Sequence, residues 1–315
     1  MKSTLNKVVN LYKPSGPTSF ALVRRVQNCV SATKAGHIGT LDPLAEGVLP
    51  VCLNGATRII QFMSRLPKTY LAEMELGKST DTQDCDGQVL ETGDWQHITE
   101  QQVREVMKDL EGDTQQVPPM FSAKKKNGVP LYKLARNGIT VKREPVSIRL
   151  HSVEFLSMEG NRVTFRAHCS AGTYIRTLCH DMGVKLGCGA HMTRLVREKV
   201  GPFDQNSSIT LENLDESRAD GTLTDKLVEP DQALQFIPEI RVKPEGELAV
   251  THGRPILKSF LDAVPEKINP GNYYRVTRFA GGLMAIAEPL VDSKQFDLLG
   301  PDEVAFKLKR VFIEP

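Results

Sequence analysis

Two segments of alternating hydrophobicity constrain the fold of this 315-residue chain more than any other part of its sequence. They run from Tyr70 to Leu76 and from Val163 to Cys169, and in both of them every second residue is apolar. Successive side chains of a β-strand point to opposite faces, so this alternation predicts strands that bury one face. We therefore expect a sheet that packs one side against a core.

Helical patterns lie on both sides of these strands in the sequence. Thr18 and Thr99 precede amphipathic runs as N-caps, and a short helix is predicted from Leu131 to Asn137. After the second strand the chain turns at Gly172 and enters a helix that ends at Gly187. A strand, a tight turn and a helix start often carry site residues. The predicted fold is α+β, with a mixed, largely antiparallel sheet flanked by helices.

After Pro238 the sequence changes to short alternating runs, which predict a small all-β module closed into a barrel. The runs are Leu248 to Val250, Tyr273 to Phe279, Leu283 to Ala287 and Val304 to Ile313, with a hairpin turn at Gly281-Gly282. A chain of this length usually forms two domains. We predict a first domain over residues 1–238 and a second over residues 239–315.

The composition, with 40% hydrophobic and 25% charged residues, is typical of a soluble globular protein. The start of the chain has no long apolar segment, so neither a signal peptide nor a membrane span is expected. The six cysteines form no Cys-x-x-Cys pair, which is typical of a reducing compartment. The sequence therefore predicts a cytoplasmic protein.

A cationic segment lies between Pro118 and Glu144, although the net charge of the whole chain is only +2. It contains Lys124, Lys125, Lys126, Lys133, Arg136, Lys142 and Arg143 against a single acid. A globule with one cationic face is typical of a nucleic-acid-binding protein. For the lysine run at 124–126 alone, a set of solvated side chains is the simpler interpretation.

One carboxylate, Asp42, lies among apolar residues in the segment from Gly36 to Arg58. Its neighbours include Leu41 and Leu44, so the carboxylate loses hydration. Such a group must be neutralised, paired with a cation or used for chemistry. If the segment stood alone, an Asp-Pro turn or a helix cap would be the preferred explanation.

Four segments together resemble the TruB-type tRNA pseudouridine synthases. They are Lys13 to Ser19, Gly36 to Gly47, Lys68 to Tyr70 followed by Gly77 to Gly87, and Gly172 to Leu178. A fifth segment, Pro118 to Gly138, resembles the RNA-clasping insertion of that family, here about residues 118–144, and the C-terminal module resembles a PUA domain. The resemblance implies isomerisation of uridine-55 in the T stem-loop of tRNA, without a metal or other cofactor. The resemblance implies neither a protein partner nor membrane association, and we expect a monomer.

The resemblance assigns the catalytic roles to Asp42, Tyr70 and Arg176. Asp42 would act at the ribose, either by attacking C1′ or by removing a proton from C2′. Arg176 would be its ion-pair partner and would lower the pKa of the Asp42 carboxyl. Tyr70 would stack on the uracil and serve in the proton exchange at C5.

The resemblance also assigns substrate-binding roles. His37 would fill the space left by the flipped uridine, Tyr174 and Leu195 would line the pocket, and Lys13 would shape the site. RNA would bind to Lys124, Lys125, Lys133 and Arg136. Without the family motif, Tyr174 and Leu195 fit a hydrophobic core equally well.

Two other functions are compatible with parts of the sequence. Asp42 and Glu46, one turn apart on a helix, would suit the paired carboxylates of a glycoside or nucleoside hydrolase. An RNA chaperone would keep the cationic surface without catalysis, and a tRNA-folding role could also accompany the synthase activity. The hydrolase accounts for neither the cationic insertion nor the C-terminal module.

Overall fold

The computed structural model describes residues 5–312. Its strands are β1 (Val8–Lys13), β2 (Ala35–His37), β3 (Glu46–Leu53), β4 (Lys68–Leu76), β5 (Lys78–Thr80), β6 (Val89–Thr92), β7 (Gly112–Gln116), β8 (Lys125–Lys126), β9 (Val129–Pro130), β10 (Val146–Glu159), β11 (Arg162–Cys169), β12 (Ala190–Val200), β13 (Phe203–Asp204), β14 (Glu239–Val242), β15 (Ile256–Leu257), β16 (Leu261–Ala263), β17 (Tyr274–Thr277), β18 (Leu283–Pro289) and β19 (Val304–Val311). Its α-helices are α1 (Ser19–Cys29), α2 (Ile60–Met63), α3 (Glu100–Asp109), α4 (Leu131–Arg136), α5 (Ile175–Leu186), α6 (Leu211–Ala219), α7 (Pro230–Ala233), α8 (Pro244–Thr251) and α9 (Ser293–Leu298). Three short 3₁₀ segments in the same residues cover Asn54–Ile59, Leu223–Lys226 and Lys258–Phe260.

The first large sheet has nine strands within the described residues, in the order β1-β3-β12-β4-β11-β10-β7, with β2 beside β3 and β13 beside β12. Its strands pair antiparallel except β3 and β12, which pair parallel. The prediction of a mixed, largely antiparallel sheet is therefore confirmed. The two alternating segments form β4 and β11, which lie side by side near the centre of the sheet.

The core of this sheet forms where its apolar face meets two helices. Val103 and Met107 of α3 and Leu178 of α5 pack against β4 residues such as Met74. The predicted capping box begins α3, because the Thr99 hydroxyl accepts from the Gln102 amide. The α3 and α5 predictions are confirmed, and their apolar faces supply the burial that stabilises the sheet.

Helix α5 approaches the sheet most closely at Gly183. An added Cβ there would lie 2.1 Å from the backbone nitrogen of Ala190, at the start of β12. The helix ends at Gly187, whose φ of 77° lies in the left-handed region that glycine adopts most easily. Gly183 thus sets how close α5, and the side chains at its start, lie to the sheet.

The cationic segment leaves the sheet after Gln116 and returns at Val146, and these two residues pair with each other in the ladder between β7 and β10. The insertion contains the β8–β9 hairpin and α4. Arg143 donates to the Pro118 carbonyl at 3.2 Å and so joins the two ends of the insertion.

The C-terminal module contains a curled half-barrel of six strands within the described residues, in the order β15-β19-β18-β17-β14-β16. Gly281 and Gly282 form the predicted hairpin turn, with φ angles of 90° and 97°. The predicted strand at Leu248–Val250 is wrong, because these residues lie in α8, and α9 also departs from an all-β module. Pro244 at the first helical position favours the helix, and three apolar residues define no period.

The two sheets contact each other. Ile286 of β18 packs with Val8 and Val48 of the first sheet, and the chain passes from one sheet to the other between α7 and β14. A division into domains at residue 238 stays a prediction.

Ile313, where the last predicted strand ends, lies outside the described residues. Within residues 5–312 no helix is long and apolar enough to cross a membrane.

We predict that Gly183→Ala destabilises the protein by about 1–3 kcal/mol, because its methyl group would force α5 away from the Ala190 backbone. Thermal or denaturant unfolding measures this difference. Val184→Ala, which changes an exposed side chain on the same helix, serves as the control. An unchanged unfolding midpoint for Gly183→Ala would show that the helix can move away at no cost.

Candidate active site

Asp42 lies in the loop between β2 and β3, and two buried side chains hold this loop in place. The ammonium group of Lys13, at the end of β1, donates to the Ala45 carbonyl at 2.7 Å. The Ser19 hydroxyl accepts from the Leu41 amide at 2.9 Å and donates to the Leu41 carbonyl at 2.7 Å. Because breaking such buried hydrogen bonds costs free energy, the backbone on both sides of Asp42 is fixed.

The Asp42 carboxylate meets the guanidinium of Arg176, which the turn at Gly172 places at the start of α5. Nη2 of Arg176 lies 3.1 Å from Oδ2 of Asp42, so the ion pair expected from the sequence is present. The side chain of Arg176 is 6% exposed and that of Asp42 is 40% exposed. Asp42 is therefore the partner that a substrate can reach.

A second carboxylate, Asp84, shares Arg176, and sequence reasoning missed it. Nη1 of Arg176 lies 3.1 Å from Oδ2 of Asp84 and donates to the Thr82 carbonyl at 3.2 Å. The Thr82 hydroxyl donates to Oδ1 of Asp84 at 2.6 Å. Asp84 belongs to the Gly77–Gly87 motif, but nothing in its local sequence indicates a partner 92 positions away.

Burial raises the pKa of the Asp42 carboxyl above its ordinary value, and it outweighs Arg176, which lowers this pKa as expected. Lost hydration penalises the charged carboxylate and is the largest effect. Arg176 and Lys13 favour the charged form and limit the rise, whereas Asp84 adds to it. The result is a paired carboxylate that is more basic than a hydrated aspartate.

Tyr70 is buried on β4, opposite Arg197 of β12. Burial raises the pKa of the Tyr70 phenol, and the neighbouring Arg197 acts in the opposite direction. Arg197 is completely buried, and its guanidinium donates to the carbonyls of Val48 at 2.7 Å and Gly39 at 3.0 Å. Sequence reasoning also missed Arg197. It lies two residues after Leu195, and residues two apart in a strand share a face, so this spacing was the available signal.

His37 ends β2, and burial together with Arg197 lowers the pKa of its imidazole. The neutral ring is therefore favoured. Within the described residues, its buried Nδ1 has no hydrogen-bond partner. The Gly39 backbone acts on the pKa in the opposite direction but does not cancel the shift.

Tyr174 and Leu195 complete the set of predicted pocket residues. Tyr174 is the half-buried N-cap residue of α5, two positions before Arg176. Leu195 is 6% exposed and belongs to the same core cluster as Tyr70 and Leu41. The ion pair and this cluster thus bring together Asp42, Arg176, Tyr70 and Leu195 around one loop.

The predicted RNA-binding side chains lie on the insertion. Lys124, Lys125, Lys133 and Arg136 are all exposed. The insertion reaches the site through its backbone, because Nη2 of Arg176 donates to the Phe121 carbonyl at 2.8 Å. Within residues 5–312 no group of three or more His, Cys, Asp or Glu side chains could hold a metal ion, and all six cysteines are free.

Comparisons with known proteins identify the family. The family model for the N-terminal domain of TruB family pseudouridylate synthases matches residues 27–175, and the model for the C-terminal domain of tRNA pseudouridylate synthase B matches residues 176–235. The tRNA pseudouridine synthase B of Geobacter sulfurreducens is 43% identical over 95% of this chain and 97% of its own length. The chain belongs to the TruB family. It is therefore a pseudouridine synthase, an isomerase.

Other members and solved structures agree with this assignment. The tRNA pseudouridine synthase B of Syntrophotalea carbinolica is 47% identical to this TruB-family chain over 80% of the chain and 82% of the relative. A chain from the crystal structure of a Cbf5-Nop10-Gar1 complex has a TM-score of 0.80 and 31% identity, covering 98% of this chain and 85% of that one. A chain from the structure of an H/ACA RNP bound to a substrate RNA containing 2′-deoxyuridine has a TM-score of 0.78 and 29% identity, covering 98% of this chain and 85% of that one.

The hydrolase interpretation paired Asp42 with Glu46 on one helix of this TruB-family chain. The prediction of that helix is wrong, because Glu46 begins β3 and Asp42 lies in the preceding loop. Two helix breakers, Pro43 and Gly47, explain the difference. Glu46 accepts a hydrogen bond from the Tyr12 hydroxyl at 3.1 Å.

We predict a pH-dependent effect of Lys68→Met on stability. Burial lowers the pKa of Lys68 to about 8 in the folded protein, against 10.5 for an ordinary lysine. The unfolded chain therefore binds more protons between these pH values, and folding stability rises with pH across this window. Relative to Lys68→Met, the wild type should gain up to about 3 kcal/mol between pH 8 and pH 10.5.

Denaturant unfolding of both proteins from pH 7 to pH 10.5 measures this gain. The matched control is Lys108→Met, which removes an exposed lysine on α3. The stability difference between wild type and Lys108→Met should stay constant with pH. A constant difference for Lys68→Met as well would mean that the Lys68 amine titrates normally.

Proposed function

We propose that this TruB-family enzyme isomerises uridine-55 in the T loop of tRNA, with Asp42 as the essential carboxylate. The observation that carries the proposal is a half-exposed carboxylate held 3.1 Å from a buried guanidinium. The relatives from Syntrophotalea carbinolica and Geobacter sulfurreducens, named tRNA pseudouridine synthase B, support tRNA as the substrate. The choice of uridine-55 rests on the family resemblance of the motifs.

The reaction breaks the C1′–N1 bond of uridine, turns the base and forms a C1′–C5 bond. A proton leaves C5 and one is taken up at N1, so no atom is lost and nothing is oxidised or reduced. The enzyme must hold the detached base in a pocket from which water is excluded. Such chemistry requires neither an energy source nor a redox cofactor.

Asp42 acts at the ribose by one of two routes. It attacks C1′ as the C1′–N1 bond breaks, forming a covalent intermediate from which C5 of the base later displaces it. In the other route it removes a proton from C2′ as the C1′–N1 bond breaks and returns it to C2′ when C5 bonds to C1′. Both routes need an ionised and basic carboxylate. The raised pKa of the Asp42 carboxyl increases its basicity, while the guanidinium of Arg176 favours the ionised form.

Tyr70 holds the base and carries a proton. Its ring offers an aromatic face on which uracil can stack. The pKa of its buried phenol is raised, so the phenol keeps its proton at neutral pH. Tyr70 can therefore donate this proton and accept another during the exchange at C5, and Arg197 beside it stabilises the transient phenolate.

His37 accompanies base flipping. A uridine inside a folded RNA must leave its stack before C1′ can be reached. A neutral imidazole can enter the vacated space without bringing an unpaired charge into it. The lowered pKa of His37 favours the neutral ring that this role needs. Within the described part of the chain its Nδ1 has no hydrogen-bond partner, so no protein hydrogen bond at that atom opposes a movement of the ring.

The insertion supplies the electrostatic attraction for the RNA backbone. Its four predicted contact residues are exposed cations, and RNA affinity depends on such charges through the release of counterions. The structural neighbour bound to a substrate RNA supports RNA as the ligand class. A hydrolase has less support, since Asp42 and Glu46 share no helix face.

We predict that Asp42→Asn abolishes isomerisation and preserves RNA binding. The purified wild type, without added metal, should release the C5 hydrogen of a tritiated T-loop uridine while the RNA keeps its length and mass. Asp42→Asn should slow this release by at least about a hundredfold, because an amide is neither basic nor nucleophilic. Tritium release and filter binding measure the two properties.

The control is Asp109→Asn, which changes an exposed carboxylate on α3 and should keep full activity. Free uracil in the wild-type reaction would indicate the hydrolase. RNA binding without any product would indicate the chaperone, and full activity of Asp42→Asn would remove Asp42 from the mechanism.

We also predict that RNA affinity falls steeply with salt and that Lys133→Ala/Arg136→Ala reduces this dependence. Each lost phosphate contact should lower the slope of log K against log salt by about one unit. Titrations from 50 to about 200 mM salt measure the slope. Lys108→Ala on α3 should keep the wild-type slope, and a salt-independent wild type would exclude a cationic RNA face.

A further inference from the structure

Gln116 lies at the base of the RNA-clasping insertion and has no role in the assignments above. It is the last residue of β7 and pairs with Val146, where the chain returns from the insertion. Its side chain is 2% exposed. A buried amide at such a junction needs a partner for each of its polar atoms.

Both partners of the Gln116 amide belong to the backbone of Tyr174. Oε1 of Gln116 accepts from the Tyr174 amide at 2.8 Å, and Nε2 donates to the Tyr174 carbonyl at 3.0 Å. The side chain therefore holds Tyr174 in the way a neighbouring β-strand would. Tyr174 is the N-cap residue of α5, and it makes no capping bond with its own side chain.

The amide thereby fixes the first turn of the helix that carries Arg176. The guanidinium of Arg176 makes contacts with four oxygens, two at each terminal nitrogen. Nη1 meets Asp84 and the Thr82 carbonyl, whereas Nη2 meets Asp42 and the Phe121 carbonyl. Three of these contacts are hydrogen bonds, and the fourth is the ion pair with Asp42.

The start of α5 is thus contacted once from the base of the insertion and once from the insertion itself. Gln116 holds Tyr174, and five residues later the Phe121 carbonyl accepts from Arg176. We propose that Gln116 is a positioning residue of the isomerisation, which aligns Tyr174 and Arg176 with Asp42 and couples the position of the insertion to the ion pair. This proposal rests on the proposed function of Asp42 and Arg176.

The coupling has a chemical consequence. RNA that holds the insertion in place also holds the start of α5, so the ion pair is aligned when substrate is bound. If the Gln116 amide is lost, Arg176 is free to shift relative to Asp42, and a displacement near 1 Å at a reacting centre costs about a hundredfold in rate. RNA affinity depends on the exposed cations of the insertion and should change little.

The test is Gln116→Met, which keeps the length of the side chain and removes both hydrogen bonds. The matched control is Gln115→Met. Gln115 is the preceding residue of the same strand, is exposed, and donates to the Ser147 hydroxyl at 2.8 Å on the surface. Single-turnover tritium release from a T-loop RNA, filter binding and thermal unfolding are measured for both variants and the wild type.

Gln116→Met should lower the single-turnover rate by about ten- to a hundredfold and change RNA affinity by less than about threefold. Gln115→Met should match the wild type in rate and affinity. A wild-type rate for Gln116→Met would overturn the proposal. A loss of RNA affinity that accounts for the whole loss of turnover would also overturn it, because Gln116 would then act in binding.

The pH profile of the rate separates positioning from general stability. The charged groups that face Asp42 are Arg176, Lys13 and Asp84. If Arg176 shifts away, the acid limb of the Gln116→Met profile moves to higher pH, because the carboxyl loses a cation that favours its charged form. A slower variant with an unmoved acid limb would contradict a role through Arg176.

Gln116→Asn provides a second variant if Gln116→Met fails to fold. It keeps a neutral amide but is one methylene shorter, so it cannot reach both backbone groups of Tyr174, and its rate should lie between those of the wild type and Gln116→Met. A wild-type rate for Gln116→Asn would overturn the bidentate role. A wild type that forms no pseudouridine would instead remove the proposed function itself, so the two failures are distinguishable.

Discussion

The buried guanidinium of Arg176 is the interaction on which the site depends. It lies between two carboxylates, Asp42 and Asp84, at 3.1 Å from each. Asp84 and Arg176 are both more than nine-tenths buried, so each would be costly without the other. Asp84 holds the guanidinium in place through Nη1, and Nη2 of the same guanidinium faces Asp42. The carboxylate of Asp42 is half-exposed, and its contact with the guanidinium offsets part of the cost of its lost hydration.

Cations held by backbone carbonyls surround this centre. Lys13 and Arg197 are completely buried, and main-chain oxygens of the loop that carries Asp42 and of β3 accept hydrogen bonds from both. Carbonyls satisfy the N–H groups of a cation without neutralising its charge. The positive field therefore remains available to an anion, and Asp42 is the carboxylate that experiences it from Lys13 as well as from Arg176.

Local patterns were sufficient to predict the elements that carry the site. The alternation around Tyr70 and the glycines that bound α5 predicted both elements from neighbouring residues alone, and both are present. The motif also indicated which residues pair, and the Asp42–Arg176 contact is present. Arg176 acts on the pKa of the Asp42 carboxyl in the expected direction, but the net shift is upward. The motif does not predict this, because desolvation depends on every segment that packs around the carboxyl and no single segment contains that information.

The residues that sequence reasoning missed share one property, which is that their partners are distant in sequence. Asp84 meets Arg176 across 92 positions, and Gln116 meets Tyr174 across 58. An Asp in a turn or a Gln at a strand end is unremarkable until the fold brings a cation or an unpaired backbone segment beside it. Because Arg176 contacts acceptors from the β5–β6 turn, the insertion and the Asp42 loop at once, its geometry is a property of the assembled domain. Substrate that moves any one of these segments therefore changes the environment of Asp42.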